Sequence, residues 1–505
     1  MLPAILAFCG FYVTGSNQPM YNDATQVVLM RDGTRTVLAM QNNYKGPPEA
    51  FAMIVPVPEV LHEGDVKTLS PSVFEHVEQM GAPRLVEYWE QDPCGPEIHE
   101  PKPMAGMPSM SPSSMAARSA DLGVKIEAQF TVAEYQIVIL SAKDSTGLET
   151  WLKHEKYNIP EGAEPLLRPY VTGGSKFFVA KVDPAKVTFV DGRAALSPLR
   201  FHYDSDRFEL PIRLGLANSA GTQDLIVNIF ASERYEVANY PNTTIPTNLE
   251  LVEGMKDKFP AFYAALFDRT AELHPGAVIT EYAWAATSCD PCPGPTLTQQ
   301  ELQTLGLDVL PQKERLGGGL TLTRLHARYG KAIKDDLVFR LATAITGGRE
   351  VKTAAGQLES GAQPASANNF QGRYAIRHRW NGPLACTVPV RGRWGGPWTG
   401  EHSAGIKPAT GLAFVPRGTV QLASALAHPD PQVPAITLPA PTVPTVPTVP
   451  TVPTAPTVPP GSSQRPASRA SSGCGCRADE RGSAGTVAML VAVGLVVAGR
   501  RRRRG

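Results

Sequence analysis

The sequence predicts an α+β fold: a predominantly antiparallel β body with a few capped helices, followed by a Pro-rich stalk and a C-terminal transmembrane helix. Three observations carry that expectation. Short apolar, β-branched and aromatic runs alternate with turn residues from Val27 to Arg379. Serine and threonine caps open isolated helical stretches between them. Gly482 to Gly499 then runs eighteen residues without a charge, directly before five arginines.

Val27 to Met30 and Thr36 to Gln41 flank Asp32-Gly33, a dipeptide that suits the positive φ angles of a type I′ turn, and so predict a hairpin. Phe51 to Pro58 continues as a buried strand that ends where proline stops sheet pairing. Ser70 as N-cap and Pro71 at the first position open a helix that Gly81 closes. Val124 to Val132 and Glu134 to Leu140 return to strand. A second helix follows Thr146, where Glu149 completes a capping box and Leu148, Trp151 and Leu152 make one apolar face. Strands are expected at Lys176 to Val182, Lys186 to Val190 before a second turn at Asp191-Gly192, Leu199 to Tyr203, Phe208 to Leu214 and Asp224 to Phe230. Lys256 to Leu273 is an aromatic helix interrupted by Pro260, and Thr298 with Glu301 caps a third. Leu320 to Arg328, Asp336 to Leu341 and Arg373 to Arg379 complete the strands.

With 505 residues, 42% hydrophobic and 19% charged, the chain has room for two to three domains and is too apolar to be disordered throughout. Nine of the 48 basic and two of the 47 acidic residues lie beyond Pro460, so the body holds 39 basic against 45 acidic residues, net −6. A mildly acidic body gives no electrostatic reason to expect nucleic acid as a partner. Pro101 to Ser119, rich in Pro, Ser and Met, and Glu350 to Asn369, rich in Ala, Gly, Ser and Gln, read as exposed loops. The expected divisions are residues 1–8, an apolar remnant of a signal peptide; 9–100, an N-terminal β-rich unit; 101–120, the Met/Pro/Ser loop; 121–400, a central α+β unit; 401–472, a Pro-rich linker; and 473–505, a Cys motif, transmembrane helix and Arg cluster.

Thr442 to Pro459 is six triplets, five Thr-Val-Pro and one Thr-Ala-Pro. Proline at every third position favours polyproline II, at about 3.1 Å per residue a stalk of roughly 55 Å. Arg500 to Arg504 holds its end of the apolar run on the cytoplasmic side, which puts the stalk and body outside. The order Gly473-Cys474-Gly475-Cys476, apolar helix, Arg cluster resembles the MYXO-CTERM sorting signal of myxobacterial surface proteins. That resemblance implies cleavage by a sorting protease near Cys474, lipid attachment at Cys474 and delivery to the cell surface. A retained tail anchor is the alternative. Both make the membrane a partner and leave the body extracytoplasmic.

A second resemblance spans most of the body, about Cys9 to Trp394. Cys9-Gly10-Phe11-Tyr12, Phe51-Ala52-Met53-Ile54-Val55-Pro56-Val57-Pro58, Trp151-Leu152, Tyr282-Ala283-Trp284 leading to Cys289-Asp290-Pro291-Cys292, and Phe370-Gln371-Gly372-Arg373-Tyr374 are similar to a bacterial family known as domain of unknown function 2330. The resemblance implies export and surface attachment, and it implies no activity, substrate or catalytic residue. The family usually has a second cysteine close after the first, where this chain has Phe11-Tyr12-Val13.

Cys289 and Cys292 have the C-x-x-C spacing of a structural disulfide, a redox dithiol or half of a zinc site. Pro293-Gly294-Pro295 follows and postpones the next helix to Thr298, away from the arrangement of a thioredoxin-like site. With Cys9, Cys94 and Cys386 the body holds five cysteines, so one is left over or Cys9 is lost or lipidated. Met104, Met107 and Met110, spaced by three, form either a thioether site for Cu(I) or a low-complexity loop. Asp204, Asp206 and Glu209 lack the full spacing of a calcium loop and read as a polar turn. Trp380, Trp394 and Trp398 are either a carbohydrate-stacking platform or packed loop anchors. The chain has no G-x-S-x-G elbow, P-loop or G-x-G-x-x-G, and nothing in it implies a cofactor or names a catalytic residue. These readings converge on a surface-anchored extracytoplasmic protein with a non-enzymatic envelope or binding role; the alternative is extracytoplasmic thiol-disulfide or copper handling.

Overall fold

The computed structural model describes residues 11–14, 21–45, 51–95, 124–142, 145–160, 162–190, 193–218, 223–312, 319–330, 333–351, 358–398, 405–412 and 415–434. Two sheets stacked face to face make its centre. The smaller has five strands in the order Phe11–Thr14, Phe51–Val57, Lys176–Val182, Tyr135–Ala142, Val124–Val132, every neighbouring pair antiparallel. The larger has thirteen, and its central run is Arg35–Lys45, Tyr21–Asp32, Gln223–Ala231, Thr321–Tyr329, Val278–Ala285. Only the Tyr21–Asp32 and Gln223–Ala231 pair in that run is parallel.

Period-two alternation assigns the faces. Tyr12, Met53, Val55, Ile137, Ile139 and Phe178 of the smaller sheet meet Val27, Leu29, Leu38, Met40, Val227, Ile229 and Leu325 of the larger in one core. The first three helices are Pro71–Gly81 (α1), Ser145–His154 (α2) and Ala163–Thr172 (α3); α2 and α3 cover the outer face of the smaller sheet and bury Leu148, Trp151, Leu152 and Leu167 there. The outer face of the larger sheet takes Val73, Phe74, Val77 and Met80 of α1, with Leu302 and Leu305 of a later helix. Phe259–Leu273 (α4) covers a further cluster, and that later helix is Gln299–Leu305 (α5). The layers therefore run helices, sheet, sheet, helices, a mixed and mostly antiparallel α+β body. Phe51–Val57 is buried at all seven positions because both of its faces are covered.

A smaller sheet sits beside this stack. Arg84–Glu90 leaves α1 through Ala82-Pro83 and pairs in parallel with Arg373–His378, which pairs in parallel with Leu249–Leu251. Strands from both sides of residues 101–120 thus share sheets, and the described residues up to Pro434 form one compact unit. That unit includes described parts of 405–434, inside the span expected to be linker.

Several local expectations change for identifiable reasons. In the first hairpin Asp32 pairs with Arg35, so the turn residues are Gly33 and Thr34. Only Gly33 has a positive φ, the requirement of a II′ turn rather than I′. Phe51–Val57 does end just before Pro58 as expected, and Pro56 is carried inside it: pairing continues to Val57 against Lys176–Val182, while the Phe11–Thr14 side stops at Ile54 and makes no demand on the missing N–H. Pro260 lies in the first turn of α4 and starts the helix instead of interrupting it. Phe208 to Leu214 keeps only Glu209–Leu210 as strand, because Pro211 cannot donate to the ladder and the next two amides, Ile212 and Arg213, donate to Asp336 Oδ1 at 2.9 and 3.0 Å. Helix α3, with Pro165 and Pro169, and the strand Arg84–Glu90, with charged residues buried along it, carry sequence signals that oppose their structure. The Ser70 cap, the Gly81 end and the Thr298–Glu301 capping box stand as expected.

Candidate functional site

The strand Val278–Ala285 runs through the larger sheet and leads into the C-x-x-C segment. Its register against Thr321–Tyr329 shifts between Thr280 and Tyr282, so Glu281 is the extra residue of a β-bulge. The bulge turns Glu281 toward Arg324 and His326, which alternate along the neighbouring strand and share a face with Arg328. Glu281 is completely buried and accepts from Arg324 Nε at 2.7 Å, from His326 Nδ1 at 2.6 Å and from the Tyr263 hydroxyl of α4. Burial alone would raise its carboxyl, but the charges of His326 and Arg324 and the hydrogen bonds from His326 and Tyr263 outweigh it and pull it down to about 2.

Arg324 reaches on to both oxygens of Glu78 on α1, at 2.9 and 3.2 Å. Phe267 of α4 stacks on the His326 ring with centroids 3.6 Å apart. Next along the same face, Asp224 accepts from Arg328 at 2.7 and 2.9 Å and from Arg417, and both arginines also hold Asp268 of α4. Burial would raise the Asp224 carboxyl, and Arg328, His326 and Arg417 hold it below the usual range. This chain of buried ion pairs ties α1, α4 and the sheet together, each carboxylate being met by several donors as burial requires.

One turn away lies the cysteine segment. Cys289 and Cys292 are joined, their Cα atoms 5.0 Å apart. The loop is gripped from below. Arg84, wholly buried and stacked over Tyr282, donates to Pro291 O at 2.8 Å and to Met80 O at 2.5 Å. Gln371 Nε2 donates to Asp290 O at 2.6 Å and to Gly348 O at 3.0 Å. His76 of α1 lies 2.6 Å from Glu301 Oε1 and 2.8 Å from Pro295 O, two acceptors that require both ring nitrogens to carry protons. Burial opposes that charge, yet the hydrogen bonds to Glu301 and Pro295 raise the His76 pKa. The disulfide is half-buried, so it can be reached from solvent, while its loop backbone is fixed at Asp290, Pro291 and Pro295.

A second disulfide, Cys94 to Cys386, spans 292 residues of sequence. Close to it, buried Glu90 accepts from the Gly392 and Trp380 amides at 2.8 and 3.0 Å and from Arg391 at 3.0 Å, and its own carbonyl takes the Trp398 indole N–H at 2.8 Å. Trp398 is thus an oriented loop anchor that stays 43% exposed.

Of the residues singled out in the sequence, Cys289 and Cys292 come together, and Asp204 ends the strand Leu199–Asp204, paired with Arg35 at 2.7 Å. Met104, Met107, Met110, Cys9 and Cys474, with residues 1–8, the stalk and the apolar C-terminal run, lie outside the described residues. Among the described residues no helix is long and apolar enough to cross a membrane, and no three His, Cys, Asp or Glu side chains are grouped to hold a metal. The buried network was missed from sequence. Its signal is the alternation Arg324, His326, Arg328 along one face of a strand that carries no other charge.

No curated protein and no solved structure matches the chain. A family model described as an uncharacterised protein conserved in bacteria, DUF2330, matches residues 3–340, which takes in both sheets' central strands and the Cys289–Cys292 loop and ends before Phe370. Covering two thirds of the sequence, that match places the chain in the DUF2330 family, to which it belongs.

Proposed function

We propose that this protein is exported and held at the cell envelope, its α+β body displayed outside on the Pro-rich segment in a structural or binding role. The observation that carries the reading is the pair of disulfides, Cys94–Cys386 and Cys289–Cys292. Disulfides persist in oxidising compartments and are rare in a reducing cytosol. The Gly482 to Gly499 run, the five arginines after it and the Cys474 motif support the same location, with Cys474 as the processed and lipidated residue. No nucleic-acid partner is part of this reading.

The test is mass spectrometry of the protein recovered from its own cells, combined with protease treatment of intact cells. Support is a body cleaved from outside, with both disulfides closed and a mass that ends near Cys474 with added lipid. A protected body with free thiols would overturn the reading. An intact Arg500 to Arg504 tail on an accessible body would replace processing by a retained anchor.

A thiol-disulfide role for Cys289 and Cys292 is the second reading, favoured by the half-buried position of that bridge. The grip of Arg84 and Gln371 on its loop argues for a closed structural bridge. Trapping of a mixed disulfide with a single-cysteine variant, Cys292→Ser, would favour the redox role instead.

A further inference from the structure

A concave feature lies apart from the buried ionic network and the Cys289–Cys292 loop. It is a cavity of about 630 Å³ beside the small sheet that contains Leu249–Leu251 and Arg373–His378, within the size range of small-ligand sites. Its lining includes Glu250, Glu253, Arg377, His378, Arg379 and Trp398. We propose that this cavity binds a neutral saccharide, with Trp398 as its stacking surface. This deepens the displayed, binding role proposed above by naming a ligand class.

Charge comes first. Two carboxylates and two guanidiniums line the cavity, so their formal charges cancel. An anion or a cation would meet both signs, whereas adjacent hydroxyls can donate to a carboxylate and accept from a guanidinium at the same place. Glu250 and Arg377 already sit 3.2 Å apart, and Glu253 lies 3.5 Å from His378 Nδ1, an arrangement of paired donors and acceptors along one wall. Arg379 and Asn381, both exposed at the rim, make no hydrogen bond among the described residues and keep their donors for a ligand.

The aromatic surface comes second. Trp398 is 43% exposed, an unusual position for the largest apolar side chain. Its N–H is already given to Glu90 O, and Trp380 packs edge-on against its ring with centroids 5.8 Å apart. What the indole has left to offer is a rigid π surface, which suits the C–H face of a pyranose. His378 is fixed from behind, stacked on Trp89 at 4.6 Å and hydrogen-bonded to Glu87 at 2.9 Å. The wall is therefore built before any ligand arrives, which lowers the ordering cost of binding.

The experiment titrates the full chain with chitotetraose, cellotetraose and maltotetraose, following tryptophan fluorescence and heat. The expected result is saturable binding of at least one of them that changes little with salt and weakens by about tenfold or more in Trp398→Ala. Arg379→Ala, at an exposed residue with no partner to lose, should weaken the same ligand while leaving the melting temperature unchanged. Absence of binding to all three, or binding that both variants leave intact, would overturn the proposal. Binding is read on isolated protein and display on intact cells, so each reading can fail without the other.

Discussion

His326 Nδ1 donates to Glu281 Oε1 at 2.6 Å, and the contact exists because a β-bulge turns Glu281 out of register toward the neighbouring strand. Around this pair the two helices α1 and α4 are fastened to the larger sheet, through Glu78 and Tyr263.

Glu281→Gln is expected to destabilise the body by about 3 to 5 kcal/mol, because it leaves Arg324 and His326 buried without their shared carboxylate. Urea unfolding of the variant beside the parent measures this. A loss below about 1 kcal/mol would mean that the network is dispensable.

The same carboxylate sets an acid limit. Its folded pKa is lowered to about 2 from the ordinary 4.5 of a glutamate, so the unfolded chain binds the proton first. The stability it supplies is present above about pH 4.5 and is lost as pH falls through about 2, a contribution of about 3 kcal/mol. Melting temperatures between pH 6 and pH 2 should fall less steeply in Glu281→Gln than in the parent.

His76 acts in the opposite direction. Its folded pKa is raised above 6.5, so its contribution is present below about pH 6.5 and is lost as pH rises through the higher folded value. His76→Ala should flatten the decline in melting temperature between pH 6 and pH 9. Proton-exchange of the Thr298 to Leu305 amides should rise with it, since Glu301 loses its partner.

The two disulfides should differ in worth. Chain-entropy arguments give about 6 kcal/mol for Cys94–Cys386, with a sequence separation of 292, and about 2 kcal/mol for Cys289–Cys292, with a separation of 3. Paired Cys→Ser variants compared by urea unfolding check the order, which equal losses would contradict.

Gly348→Ala should loosen the Cys289–Cys292 loop from a distance. A Cβ there would lie 2.0 Å from Gln371 O, and the backbone has φ +68°. Displacing Gln371 removes its hold on Asp290 O, so reduction by dithiothreitol followed by alkylation should proceed faster at Cys289 and Cys292 than in the parent.

Local pattern was enough for the hairpin before Thr36, the Ser70 and Thr298 caps, and most strand positions, because turns, caps and alternation depend on neighbours in sequence. It also identified the family through short motifs, and Cys289 with Cys292 as a close pair. Where local signals and long-range packing disagree, packing decides. Helix α3 forms despite Pro169 because Leu167, Tyr170 and Val171 close the core over the smaller sheet, and Arg84–Glu90 is a strand because Arg373–His378 lies alongside it. Which cysteine Cys94 joins, and that Glu78, Tyr263, Glu281 and His326 meet, follows from contacts between residues up to 292 apart. No sequence window holds both ends of such a contact. The bulge at Glu281 and the stacking of the two sheets bring them together, and only the tertiary structure contains those.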